Sequence, residues 1–142
     1  MNKIFRFPYA LLCLCTVLLL QGCGKDDESA TERTSRLLRS ATWTLNKLTV
    51  DGTDQTSLFQ DMVLSITAST YTVQNGEPVW PASGTWKLTD ATTIDRDNGT
   101  IVKIEHLDAS TLTLSLHWSR TTYAGGRARS VSGEHVFELV KR

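Results

Sequence analysis

From residue 40 onward the chain alternates apolar and polar side chains with a period of two, the pattern of strands with one dry and one wet face. The clearest case is residues 111–118. Leu112, Leu114, Leu116 and Trp118 fall on one side, and Thr111, Thr113, Ser115 and His117 on the other. Residues 41–50 put Trp43 and Leu45 in phase and then shift to Leu48 and Val50, which predicts a bulge near Asn46 or Lys47. Met62, Leu64 and Ile66 form a third set, Tyr71 and Val73 a fourth, and Trp86 and Leu88 a fifth. Asn98-Gly99 separates residues 93–97 from 100–106, as a two-residue hairpin turn does. A last hairpin turns at Ala124 to Gly126. Its returning strand carries Phe137 and Leu139 on one face, with Gly133 as a bulge or bend.

These are eight candidate strands, mostly joined by short links, which favour antiparallel neighbours in chain order. Each strand supplies few apolar residues on one face and needs a second layer. A sheet that closes on itself provides one. The expected fold is all-β, an antiparallel eight-stranded up-and-down barrel, and an open sandwich of the same strands is the other arrangement. Eight strands enclose an interior wide enough for side chains or for one small ligand. Just before the first strand, residues 31–40 suit one or two helical turns, with Leu37 and Leu38 plugging a barrel end.

The first residues read differently. Lys3 and Arg6 precede an unbroken apolar run from Tyr9 to Leu20, followed by Gln21-Gly22-Cys23. A basic start, a short apolar stretch and a small residue before a cleavage point make a secretory signal. The run is too short to span a bilayer comfortably, which takes about 20 residues. All three cysteines, Cys13, Cys15 and Cys23, lie in this region, which excludes a disulfide framework from the rest of the chain. Residues 24–35 hold no large apolar side chain and are expected to be a flexible tether. The chain therefore divides into a leader at 1–22, a cysteine and acidic linker at 23–35, and a domain at 36–142. Its 15 Lys+Arg balance 15 Asp+Glu, and that neutrality gives no reason to expect a nucleic-acid partner.

Leu20 to Cys23 resembles the lipoprotein signal-peptide box of bacteria. The resemblance implies acylation of the Cys23 thiol, cleavage before it and anchoring to the outer membrane, with further acylation of the new amine. More than one acyl chain suffices for stable anchoring. Lys25, Asp26, Asp27 and Glu28 resemble the acidic export signal of surface lipoproteins in Bacteroidota-type bacteria, whereas a merely solvated linker is the plainer reading. Residues 36–142 are similar to the small lipocalin-like (calycin) domains of such lipoproteins. The similarity rests on residues 37–45, 83–90, 112–116 and 135–141. It implies a barrel with a pocket for a small, mostly apolar ligand. In lipocalins a basic residue of the last strand packs over the tryptophan that Trp43 matches, and Lys141 and Arg142 are the candidates.

Candidate binding residues come from these readings. The long connection at 51–61 holds Leu58 and Phe59, which either form a lid over the ligand or plug a filled core. Trp86, Leu114 and Leu116 would line the interior. Trp80 stands between Pro78 and Pro81 on a stiffened turn, either as a stacking surface for a glycan or partner or folded back over a barrel end. Arg120, Arg127 and Arg129 cluster at the last hairpin tip, where they grip an anion or simply protect an edge. Thus two functions compete: a binder of a small apolar or amphipathic ligand inside the barrel, and a surface module with a filled core that holds a glycan or protein.

No pattern for catalysis stands out: no nucleophile elbow, His-Glu-x-x-His or phosphate loop occurs. Asp95 and Asp97 share a strand parity, as paired acids do, and a solvated edge explains them more simply. By alternation His117 faces outward, and His135 shares parity with Phe137. With His106 they make a poor metal set, lacking a clustered carboxylate. No cofactor, metal or enzymatic activity is expected.

Overall fold

The computed structural model describes residues 27–119 and 132–142. Among them are one α-helix, α1 (Ala30–Arg39), and nine strands. The strands are β1 (Thr42–Val50), β2 (Thr53–Asp54), β3 (Val63–Ile66), β4 (Thr70–Gln74), β5 (Ser83–Asp90), β6 (Thr93–Arg96), β7 (Thr100–Leu107), β8 (Thr111–Trp118) and β9 (Gly133–Lys141). From β3 each strand pairs antiparallel with the next, and β9 returns to β1 over Trp43–Val50. The result is a closed eight-stranded antiparallel barrel, with β2 as a two-residue addition to β1. It is consistent with a lipocalin-like barrel. Closure between β1 and β9 rules out the open sandwich, and it leaves no long unpaired edge.

Local chemistry explains most element boundaries. The register of β1 against β9 skips a residue between Leu45 and Lys47, the bulge that the phase shift predicts. The turn between β6 and β7 falls one residue earlier than Asn98-Gly99 suggests. Asp97 and Asn98 both adopt φ 54°, and the Gly99 amide donates to Arg96 C=O at 3.3 Å. Two successive left-handed residues match the twist of the flanking strands, and Asp and Asn tolerate that conformation. Gly133 is neither bulge nor bend but the first residue of β9, paired with Trp118, and its φ is 150°. A Cβ there would collide with the Asp51 carboxylate, which accepts the Glu134 amide at 2.9 Å.

The expected tether is partly helix. Residues 30–35 belong to α1, so ordered structure begins before residue 36. Ser29 and Glu32 form a reciprocal capping box, and Arg36 and Arg39 sit at the negative end of the helix dipole. Leu38 is fully buried, and the Thr34 hydroxyl donates to Ala91 C=O at 2.9 Å. One docked leucine and a good cap offset an otherwise polar composition. The helix closes one barrel end, where the Trp43 indole N–H donates to Leu38 C=O at 2.9 Å. Lys141 and Arg142 remain exposed, so the helix covers Trp43 rather than a basic side chain.

Antiparallel order sends the connections at 51–62, 75–82 and 97–99 to the opposite end. A 3-10 turn at Thr56–Phe59 lies in the first of them. Between the two ends runs one continuous core that includes Trp43, Leu64, Tyr71, Trp86, Leu112 and Phe137.

Candidate functional site

Strand β6 reads Thr-Ile-Asp-Arg. Alternation turns Ile94 and Arg96 inward, and Arg96 is only 5% exposed. Its guanidinium lies under the Trp80 ring, with Cζ 4.4 Å from the ring centroid. A desolvated cation over an indole face gains about 2 kcal/mol. The nearest carboxylate serves it poorly: Asp97 Oδ2 is 3.5 Å from Arg96 Nε. Asp97 is committed elsewhere. The Tyr71 hydroxyl donates to Oδ2 at 2.6 Å, and the Thr85 amide donates to Oδ1 at 2.8 Å. Gly84 makes this arrangement possible, because a Cβ there would strike both Asp97 Oδ1 and the Tyr71 hydroxyl.

Three donors are therefore left over. Arg96 Nε, Arg96 Nη1 and Trp80 Nε1 are all buried and have no hydrogen-bond partner among the described residues. An unpaired buried donor costs about 1–3 kcal/mol, and more when charged. Burial pushes the Arg96 pKa down, and the neighbouring Tyr71 and Asp97 oppose that shift. Burial also pushes the Tyr71 phenol up, helped by its hydrogen bond to Asp97, so it stays a neutral donor.

A row of aromatic rings leads away from the one over the arginine. Trp80 meets Tyr71 and Phe137 edge-on, at centroid distances of 5.6 and 6.2 Å. Phe137 in turn meets Phe59 at 6.0 Å and stacks on His135 at 6.1 Å. His135 is fully buried, with Nδ1 3.0 Å from Gly133 C=O, and burial lowers its pKa. Trp118 closes the row, 6.0 Å from His135.

Beside Arg96 is a cavity of about 10 Å³, lined by apolar side chains that include Ile66, Trp86, Ile94 and Leu114, together with Tyr71. That is room for about one water molecule. A depression of about 380 Å³ lies outside the barrel, between α1 and the segments around Thr92 and His106. None of its lining residues carries an unpaired buried donor, whereas the internal cavity adjoins three. The internal position is therefore the better candidate.

The structure sorts the expected residues unevenly. Trp86 and Leu114 line the small cavity, and Leu116 is buried in the core. Phe59 is 1% exposed and plugs the core, while Leu58 is half-buried beside it. Trp80 is 3% exposed, so it is folded over the barrel and offers no stacking surface; Pro78 and Pro81 stay outside. Asp95 and Asp97 do not act as a pair. Asp95 faces Lys87 at 3.2 Å and Asp97 serves Tyr71. His117 is exposed near Glu134, His106 is exposed beside Asp108, and His135 lies inside. Among the described residues no group of three or more His, Cys, Asp or Glu is placed to hold a metal. Asp27 and Glu28 are exposed, and Glu28 pairs with Arg36 at 2.7 Å. Cys23, Lys25, Asp26, Arg120, Arg127 and Arg129 lie outside the described residues. No helix of the described residues is long and apolar enough to cross a membrane.

Comparison with protein-family models found no match, and comparison with curated proteins found no significant relative. The site thus rests on its own geometry. Its central residue, Arg96, is not singled out by the sequence, because a cation between Asp95 and Asp97 reads as part of a solvated edge. The signal was present: parity with Ile94 places Arg96 on the dry face.

Proposed function

We propose that this chain is a bacterial lipoprotein whose barrel binds a small apolar or amphipathic molecule at the end distant from α1. In this reading Cys23 carries the acyl anchor in the outer membrane, and Lys25 to Glu28 direct the domain to the cell surface. The domain is a binding module and not an enzyme. The closed β-barrel is compatible with ligand binding. The observation that carries the reading is the set of unpaired donors under one surface turn. Native cores satisfy nearly all buried polar groups, and the exceptions call for an explanation. A ligand that enters when the Trp80 turn lifts supplies the missing partners.

Two measurements test the parts separately. Native mass spectrometry of protein purified gently from its own membrane is expected to show a bound small molecule. A single ligand-free mass, with no response of tryptophan fluorescence to added amphiphiles, would mean a filled core. For the anchor, Cys23→Ala is expected to abolish acyl labelling and to release the chain from the membrane fraction; persistent labelling overturns that assignment.

The small cavity favours a second reading, a filled-core module that meets a glycan or a surface protein. Because Trp80 is buried, contact would fall to Arg120, Arg127 and Arg129. Replacing these three by Ala would then abolish binding to acidic glycans and leave small-molecule binding untouched.

A further inference from the structure

We infer that the ligand is a small amphipathic carboxylate, that its acid group binds Arg96, and that its apolar body takes the place of the Trp80 indole. This inference rests on the binding reading above and specifies its chemistry. It begins with the charge. Among the described residues the carboxylate paired with the buried Arg96 cation is Asp97, whose Oδ2 stands 3.5 Å from Nε and whose two oxygens also accept from Tyr71 and Thr85. Neither Nε nor Nη1 makes a hydrogen bond to a described residue. A carboxylate from outside would neutralise the charge and accept from these atoms, and charge-assisted bonds are the stronger kind. A cationic ligand would meet repulsion, and a neutral one would give Nε and Nη1 no charge-assisted acceptor.

The apolar part is set by the group that covers the arginine. Trp80 is held by contacts with rings and with the guanidinium, and its indole N–H has no hydrogen-bond partner among the described residues. From Gly76 to Pro81 the backbone hydrogen-bonds only within the turn among the described residues, the Trp80 amide to Gly76 C=O at 2.8 Å. Nearby, the Asn75 side chain reaches Asp61 C=O at 3.2 Å. Few hydrogen bonds tie the turn to the barrel, and its hold is the burial of Val79 and Trp80, which opening must expose. When the indole leaves, it exposes a slot bounded by Tyr71, Phe137 and the Arg96 guanidinium. A flat or short-chain apolar body fits that slot, and the existing cavity of about 10 Å³ does not have to hold the whole ligand.

The test uses three probes that share one chain and differ only in the head group: hexanoate, hexan-1-ol and hexylammonium. Binding to the full lipidated protein in nanodiscs is followed by titration calorimetry, with empty nanodiscs as the blank. Hexanoate is expected to bind roughly tenfold or more tightly than hexanol, and hexylammonium most weakly. Arg96→Met is expected to erase the preference, so that hexanoate no longer binds more tightly than hexanol. Trp80→Ala is expected to tighten hexanoate severalfold, because the competing cover is gone. Equal binding of hexanoate and hexanol overturns the carboxylate inference and leaves an apolar binding function standing. A preference that survives in folded Arg96→Met also overturns it. If neither probe binds the native protein or Trp80→Ala, both the inference and the binding reading fail. Should Arg96→Met not fold, Arg96→Lys keeps the charge but shortens the reach. It is expected to weaken hexanoate alone, and unchanged hexanoate affinity counts against Arg96.

Discussion

The two ends of this barrel are closed by the same device, an aromatic under a cover, with opposite results. At the α1 end, Trp43 is fully buried and its N–H bonds to Leu38 C=O. The cover is a capped helix anchored by a buried leucine. At the other end, Trp80 is equally dry, but its N–H has no partner among the described residues and it rests on a buried cation. Its cover is a turn that hydrogen-bonds mainly to itself. One end is satisfied and the other carries unpaired donors. On the proposed reading the first end serves stability and the second is where a ligand enters, since native proteins tend to break local consistency where they function.

The sharpest way to break this comparison is to delete each tryptophan in turn. Trp43→Ala is expected to cost about 4 kcal/mol in urea unfolding, from lost packing and a stranded carbonyl. Trp80→Ala is expected to cost less, about 3 kcal/mol, because no hydrogen bond is lost and Arg96 gains access to water. Equal costs would mean that the two ends are energetically alike. A smaller effect sharpens the picture at the helix. Ser29→Ala removes the capping box and is expected to cost about 1 kcal/mol. It should raise hydrogen exchange in α1 and leave the 75–82 turn unchanged; spread of the effect to that turn would couple the ends.

The smallest expected effect is pH dependence at the Trp80 end. Burial lowers the His135 pKa below its ordinary 6.5, so the unfolded chain binds the proton more readily than the folded one. The contribution of neutral His135 is fully present above about pH 6.5. It is lost as pH falls from there toward the lower folded value. His135→Gln is expected to flatten that part of the stability curve, and an unchanged slope would assign the dependence to other groups.

Much of the fold was legible because alternation and bulges are local. Leu112, Leu114 and Leu116 declare the dry face of β8, and the shift from Leu45 to Leu48 declares the bend in β1. The helix was only half legible. Residues 30–35 are polar enough to read as tether, and it took the docking of Leu38 beyond them to order that stretch. Phe59 and Trp80 each had two readings, exposed or packed, and no local pattern distinguishes them. Which one holds depends on whether Phe137 stands within reach, and Phe137 comes from the last strand.

The sequence by itself determined the strands, their antiparallel order and the change at Cys23 from an apolar run to a polar, acidic one. These depend on side-chain parity and on short-range composition. Only the tertiary structure decided that Arg96 is left without a full partner. That outcome needs Gly84 on β5 to admit Tyr71 from β4, Tyr71 and Thr85 to claim Asp97 after β6, and Trp80 to close over the remainder. Four segments meet at one charge, and a pairing that depends on four segments is fixed only when the barrel closes.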